Sequence, residues 1–306
     1  MKRIMLLFAT LAVVLMANAQ QLFVGTYNIR NHNSDDDREG NVWTTRCRVI
    51  CDELNFEDPD VFGTQEVLHE QLGDLLDGLD GYDYIGVGRD DGKEAGEYSA
   101  IFYKKDRLEM LRHGNFWLNE TPDVPKLGWD AACIRICSWG QFRQKATGFE
   151  FYYFNLHMDH VGVVARREAA KLVVKKIGEI AKDAPVVLTG DFNVDQTDEI
   201  YTIFTRSGVL KDSYVAAKHR FAENGTFNAF KPDLKTDSRI DHVFVSPKFD
   251  VQRYGILTNC YWTKNADSDS TTQQAANAPQ ELRFQQYQRR LPSDHYPVLV
   301  KIMYRK

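Results

Sequence analysis

Seven short runs rich in Val, Ile, Phe and Tyr, spread from one end of the chain to the other, constrain the fold more than any other feature of the sequence. They cover Phe23 to Ile29, Asp60 to Gln65, Tyr98 to Tyr103, Phe149 to His157, Pro185 to Thr189, Ile240 to Val245 and Val298 to Tyr304. Each reads as a strand. Between some of them apolar residues recur every three or four positions: Trp43, Cys47, Ile50, Cys51 and Leu54; Leu68, Leu72, Leu75, Leu76 and Leu79; Ala165, Ala169, Leu172, Val173, Ile177 and Ile180. Each set gives a helix one buried stripe. Strands along the whole length with helices set among them predict two sheets covered outside by helices, an α/β sandwich in layers. No composition break divides the chain, so residues 20–306 are expected to form one domain. The polar stretch from Thr263 to Gln288 reads as a long surface excursion between two strands.

Lys2 and Arg3 precede an uncharged apolar run from Ile4 to Met16 and the small residues Ala17-Asn18-Ala19. This is the pattern of a secretory signal over residues 1–19, with cleavage expected before Gln20. The apolar run is shorter than the roughly 20 residues that span a bilayer. The expected product is periplasmic or secreted, monomeric and without stable membrane association. Losing Lys2 and Arg3 leaves 36 of the 38 basic residues against 43 acidic ones, a charge of −7. Tight, sequence-independent binding of long nucleic acid draws on many Lys and Arg contacts, so a small or singly engaged phosphate ester suits this balance better. Export places the five cysteines in an oxidising compartment. Cys47 and Cys51 read as buried apolar side chains on a helix, and Cys133 and Cys137 as either bridged or buried.

The informative feature is where polar residues fall relative to the strands. Asn28 closes the first and Glu66 the second. His157 and Asp159 follow the Phe149 run, Asp191 and Asn193 follow Pro185 to Thr189, Asp241 begins a strand, and Asp294-His295 precede the last one. One such residue is ordinarily a cap or a solvated turn. Six strand ends that converge in a sandwich concentrate carboxylates in one place, where like charges raise one another's pKa or require a cation. Oxygen-rich ligands without cysteine point to a hard ion: magnesium, manganese or calcium.

These motifs resemble those of the endonuclease/exonuclease/phosphatase superfamily over nearly the whole mature chain. They are Thr26-Tyr27-Asn28-Ile29-Arg30, Thr64-Gln65-Glu66, Asn155-Leu156-His157-Met158-Asp159, Gly190-Asp191-Phe192-Asn193, Arg239-Ile240-Asp241-His242 and Ser293-Asp294-His295-Tyr296-Pro297. The resemblance implies a four-layer α/β sandwich with two central, mostly antiparallel sheets, and an Mg2+-dependent hydrolase acting on phosphoester bonds. It implies Glu66, with Asn28 and Asp294, as the metal site. Asp191 would position or deprotonate water, Asn193 would orient phosphate and water, His157 and His295 would bind phosphate oxygens, and Asp241 would fix the tautomer of His295. Asp159 is expected with the catalytic group. Gly128-Trp129-Asp130-Ala131 and Phe116-Trp117-Leu118 look like segments of an exported bacterial branch.

Tyr98, Trp129, Arg135 and Arg166 are further candidates for substrate contacts, against the ordinary readings of buried aromatics and surface ion pairs. Arg166 stands near a helix start, where a cation gains nothing from the dipole, so something else is expected to hold it. A phosphodiesterase or nuclease acting on nucleic acid or a nucleotide is the leading expectation. The alternative is an inositol-phosphate or other small-molecule phosphatase, which calls for a compact cluster of Lys and Arg. A binding module that has lost its chemistry is the competing class.

Overall fold

The computed structural model describes residues 20–264, 277–279, 281–282 and 284–305. The expected signal sequence and most of the polar excursion after Thr263 lie outside the described residues. Strands are numbered in chain order. A seven-stranded sheet runs β10 (His219–Phe221), β12 (Phe249–Ile256), β15 (Val298–Tyr304), β1 (Gln21–Asn28), β2 (Val61–Gln65), β4 (Ile101–Lys104), β3 (Tyr82–Ile85). A six-stranded sheet runs β5 (Leu108–Trp117), β6 (Ile136–Gln144), β7 (Glu150–His157), β8 (Val186–Asp191), β11 (Asp241–Val245), β9 (Lys211–Asp212). β13 (Tyr261–Lys264) and β14 (Tyr287–Arg290) form a separate hairpin.

Alternation along the strands sorts side chains into three apolar layers. Val24, Val61, Tyr153, Val187, Val243 and Val300 pack between the sheets. On the outer face of the seven-stranded sheet, Tyr27 and Phe62 meet Trp43, Ile50, Leu54, Leu72 and Leu75 from helices Trp43–Glu57 and His69–Gly78. On the outer face of the six-stranded sheet, Tyr152, Phe154 and Leu188 meet Ala169, Val173, Ile177 and Phe204 from helices Val163–Ala181 and Glu199–Thr205. This is the expected four-layer sandwich.

The strands missed in the sequence have identifiable reasons. β5 carries Arg112, His113, Gly114 and Asn115 and a bulge after Met110 that breaks its alternation. The expected strand at Tyr98 to Tyr103 begins only at Ile101, and Tyr98 makes single bridges to Val67 and Gly88.

Topology explains why the strand ends meet. Within the two sheets β1–β2 and β7–β8 are parallel pairs, each joined through a helix, so Asn28, Gln65, His157 and Asp191 all sit at carboxyl ends. β11 and β15 run antiparallel to β8 and β1, which brings their starting ends to the same side. Beneath that end, Asn155 joins the sheets. Its Nδ2 donates to the carbonyls of Thr64 (2.8 Å) and Ala100 (2.9 Å), and its Oδ1 accepts from Gln65 Nε2 (2.7 Å) and Thr189 Oγ1 (3.0 Å). A Cβ at Gly63 would overlap this carboxamide, so glycine is required there.

Candidate active site

Asp191 lies between two histidines. Its register partners across the sheet are His157 on β7 and Asp241 on β11. Asp191 Oδ2 is 3.4 Å from His157 Nε2 and 3.7 Å from His295 Nε2, and accepts from Asn28 Nδ2 at 3.1 Å. Its Oδ1 accepts the backbone N–H of Asn193 at 2.9 Å. His295 Nδ1 meets Asp241 Oδ2 at 2.8 Å. Asn193 Nδ2 donates to the Met158 carbonyl at 3.0 Å and stands 3.2 Å from His157 Nε2.

Asn28 Nδ2 also donates to Glu66 Oε1 at 3.0 Å, while its Oδ1 accepts the backbone N–H of Arg30 at 3.0 Å. It therefore presents its NH2, not its carbonyl oxygen, to the carboxylates. Glu66 Oε2 accepts the backbone N–H of Asn31 at 3.2 Å. Arg30 Nη1 stands between Glu66 (4.0 Å) and Asp294 (3.6 Å). Arg30, Glu66 and Asn193 hold φ of 59°, 63° and 50°. Non-glycine residues rarely adopt this left-handed conformation, and surrounding contacts must over-determine it.

Burial and the nearby Asp241 push Asp191 up to about 7, and burial also raises Asp294. Burial alone would lower His295, but Asp241 and Asp191 on either side raise it well above its ordinary value, which makes it an imidazolium. Burial, Arg135 and Arg89 hold His157 well below its ordinary value, and so neutral. Four carboxylates thus share the cluster with two cations, Arg30 and His295. Asp191, Asp241 and His295 offer ligand atoms all within 4.8 Å of one another, although the His295–Asp241 hydrogen bond already engages Nδ1 and one carboxylate oxygen. Excess buried negative charge and oxygen donors fit a hard divalent cation, and Glu66, Asp294 and Glu97 are the further carboxylates lining the cavity. Cys133, Asp159 and His160 form an equally compact trio, but backbone N–H groups take up the Asp159 oxygens and the Arg135 guanidinium stands beside it.

The expectations for individual residues divide. Asn28, Glu66, His157, Asp191, Asn193, Asp241, Asp294 and His295 come together. Asp159 does not join them in the expected catalytic capacity. Its Oδ2 accepts from Ala132 N and Cys133 N (3.0 Å each) and its Oδ1 from Val161 N (2.9 Å) and Gly162 N (2.7 Å). Against the effect of burial, those bonds hold its pKa down at about 2. Asp159 organises the loop beside His157.

Of the expected substrate residues only Arg135 lines the cavity. Tyr98 is buried, its hydroxyl donating to the Lys93 carbonyl at 2.9 Å. Trp129 packs half-buried against the core outside the six-stranded sheet. Arg166 Nη1 is held by the Asp159 carbonyl at 3.0 Å.

The cavity, about 400 Å³, also exposes residues that the sequence analysis passed over: Asn31, Arg89, Glu97, His160 and Phe227. Arg89 and Glu97 sit in the glycine-rich loop Gly86 to Gly96 and just beyond it. A long glycine-rich loop carrying paired charges was the available signal.

This fold and this cluster coincide with a match to the Endonuclease/Exonuclease/phosphatase family over residues 25–295. The chain belongs to that family, hydrolases that act on phosphoester bonds, and is itself a phosphoester hydrolase. Among solved structures it is similar to an endonuclease/exonuclease/phosphatase family protein of Bacteroides thetaiotaomicron, with 50% identity, TM-score 0.86 and coverage of 93% of this chain and 98% of that one. It is also similar to a structure described as the mannosyl-6-phosphatase of Bacteroides thetaiotaomicron, with 50% identity, TM-score 0.85 and coverage of 92% of this chain and 100% of that one. Human tyrosyl-DNA phosphodiesterase 2 is 26% identical over 200 residues, 65% of this chain and 48% of that protein. The chain thus spans about half the length of that curated relative. Among the described residues no helix is long and apolar enough to cross a membrane.

Proposed function

We propose that this chain is an exported, magnesium-dependent phosphatase that hydrolyses a phosphate monoester on a hexose, the 6-phosphate of mannose or a mannoside being the best match. The observation that carries this reading is the end-to-end likeness, at 50% identity, to a protein described as a mannosyl-6-phosphatase. A compact polar cavity lined by Arg30, Arg89 and Arg135 supports it, being of a size for a small polar ester.

In this reading Asp191 takes a proton from the attacking water, whose oxygen bonds to phosphorus while the P–O bond to the sugar breaks on the opposite side and the departing sugar oxygen takes up a proton from solvent. Asn193 and the His295 imidazolium, held by Asp241, donate to the phosphoryl oxygens. These donors are fixed before the reaction begins. Glu66 and Asp294 would hold a divalent cation, with Asn28 orienting Glu66, and the ion would supply charge neutralisation at the phosphate and the leaving oxygen.

The test compares release of inorganic phosphate from mannose 6-phosphate with release of p-nitrophenol from bis-p-nitrophenyl phosphate and of nucleotides or fragments from single-stranded DNA, each with magnesium and with a chelator. The reading expects turnover of the monoester in magnesium only. Preferred cleavage of the diester or DNA would move the assignment to a phosphodiesterase or nuclease.

A further inference from the structure

Beside the carboxylate cluster the cavity holds charged side chains that the hydrolytic step leaves unused. Arg135 is only 5% exposed, yet its Nε and Nη1 have no hydrogen-bond partner among the described residues, and Arg89 Nε has none either. Arg135 Nη2 lies 3.1 Å from His160 Nδ1, while the nearest carboxylates stand off, Asp159 at 3.7 Å and Glu97 at 3.9 Å. Glu97 pairs with Arg89 and accepts from Asn31 Nδ2 at 3.2 Å. The backbone N–H of the same Asn31 donates to Glu66. One residue therefore separates this group from the carboxylate proposed to hold the metal.

A buried N–H without a partner is costly, and Arg135 and Arg89, which carry three such groups between them among the described residues, line the cavity together with Glu97, so a ligand that brings acceptors beside them is favoured there. A second phosphate would meet the Glu97 charge as well as the arginines. Adjacent hydroxyls fit both signs, because each both donates and accepts. Glu97 accepts hydrogen bonds from them, and Arg135 and Arg89 donate to their oxygens.

We propose that Arg135, Glu97 and Arg89 recognise neighbouring hydroxyls of the sugar that leaves. The enzyme then selects its phosphate ester by the hydroxyl pattern of the alcohol and not by the phosphate alone. This inference rests on the monoester reading. The three residues are specificity residues and take no part in bond breaking.

The test begins with the wild-type protein and substitutions in the substrate. Turnover is compared for mannose 6-phosphate, its forms lacking the hydroxyl at carbon 2, 3 or 4, and p-nitrophenyl phosphate. Removing a recognised hydroxyl is expected to lower kcat/KM about 100-fold, because the buried groups that bonded it are left unpaired. In Glu97→Gln that penalty shrinks to a few-fold, and the preference for the sugar ester over p-nitrophenyl phosphate falls with it. Arg135→Lys provides an independent second variant.

Wild-type turnover of every deoxy form at the parent rate would overturn the proposal and leave the monoester reading standing. So would an unchanged deoxy penalty in both variants. Failure of the wild type to release phosphate from any monoester would overturn both.

Discussion

Two buried arginines in this molecule are treated in opposite ways. Arg46 is fully buried and donates to the carbonyls of Ile29 (2.8 Å), Asn41 (2.9 Å) and Pro292 (3.1 Å), with longer bonds to Arg30 (3.3 Å) and Asn31 (3.4 Å). It ties the loop after β1 to the segment before His295. Arg135, almost as buried, keeps two donors without partners among the described residues. Burying a guanidinium is tolerable when its donors are satisfied, so Arg46 serves the fold and Arg135 is held for something the protein alone does not supply. The same contrast separates Asn155, whose four hydrogen-bonding positions are filled, from His157 just above it, whose Nδ1 lacks a partner among the described residues.

The contrast can be broken most visibly at Asp191. Asp191→Asn keeps the shape and most of the contacts of a group assigned to chemistry, so turnover should fall about 10⁴-fold while the unfolding curve barely moves. A variant that still turns over would remove Asp191 from the reaction. Next in size is Arg46→Met, which leaves the carbonyls of Ile29 and Pro292 without donors. Chemical denaturation should register a loss of about 3 kcal/mol, and a loss near zero would show that those bonds add nothing.

A smaller effect concerns charge. Between pH 6.5 and 8 the depressed histidines His157 and His242 are neutral in the folded state and half protonated or less in the unfolded one, a smaller contribution of opposite sign. Asp191 (up to about 7) and Glu53 (up to about 8), both raised mainly by burial, and His295, raised by its two carboxylates, bind more protons folded than unfolded there. Stability of the metal-free protein should therefore fall as pH rises across that window, by about 1–2 kcal/mol, and a thermal-melt series in a chelator measures it. Stability rising instead would mean that these groups are not strained by ionising. The smallest effect is expected at Arg135→Met. Its stability should stay within about 0.5 kcal/mol of wild type, in contrast to Arg46→Met. A loss as large as that of Arg46→Met would erase the distinction between the two arginines.

Much of the site was legible because polar residues at strand ends are punctuation that strand periodicity makes visible. Asn28, Glu66, Asp191, Asp241 and His295 each interrupt an apolar run, and topology gathers such ends on one side. What could not be read was direction. Asp159 has the same residue type and position as its neighbours, but its oxygens turn to four backbone N–H groups. Trp129 packs against the core although its motif was conspicuous. Arg46 lies on a helix whose buried stripe was clear, but its burial could not be read because its partners include carbonyls from segments distant in sequence. Arg89 and Glu97 lie in a loop without periodicity, and only the folded cavity puts them opposite Glu66.

The account depends on the buried carboxylates forming a cation site. Calorimetric titration of magnesium into the wild-type protein and into Glu66→Gln tests it most directly. One ion bound by the wild type, with an accompanying rise in melting temperature, and no binding by Glu66→Gln is the expected result. Absence of binding in the wild type, or equal binding in both, would contradict it.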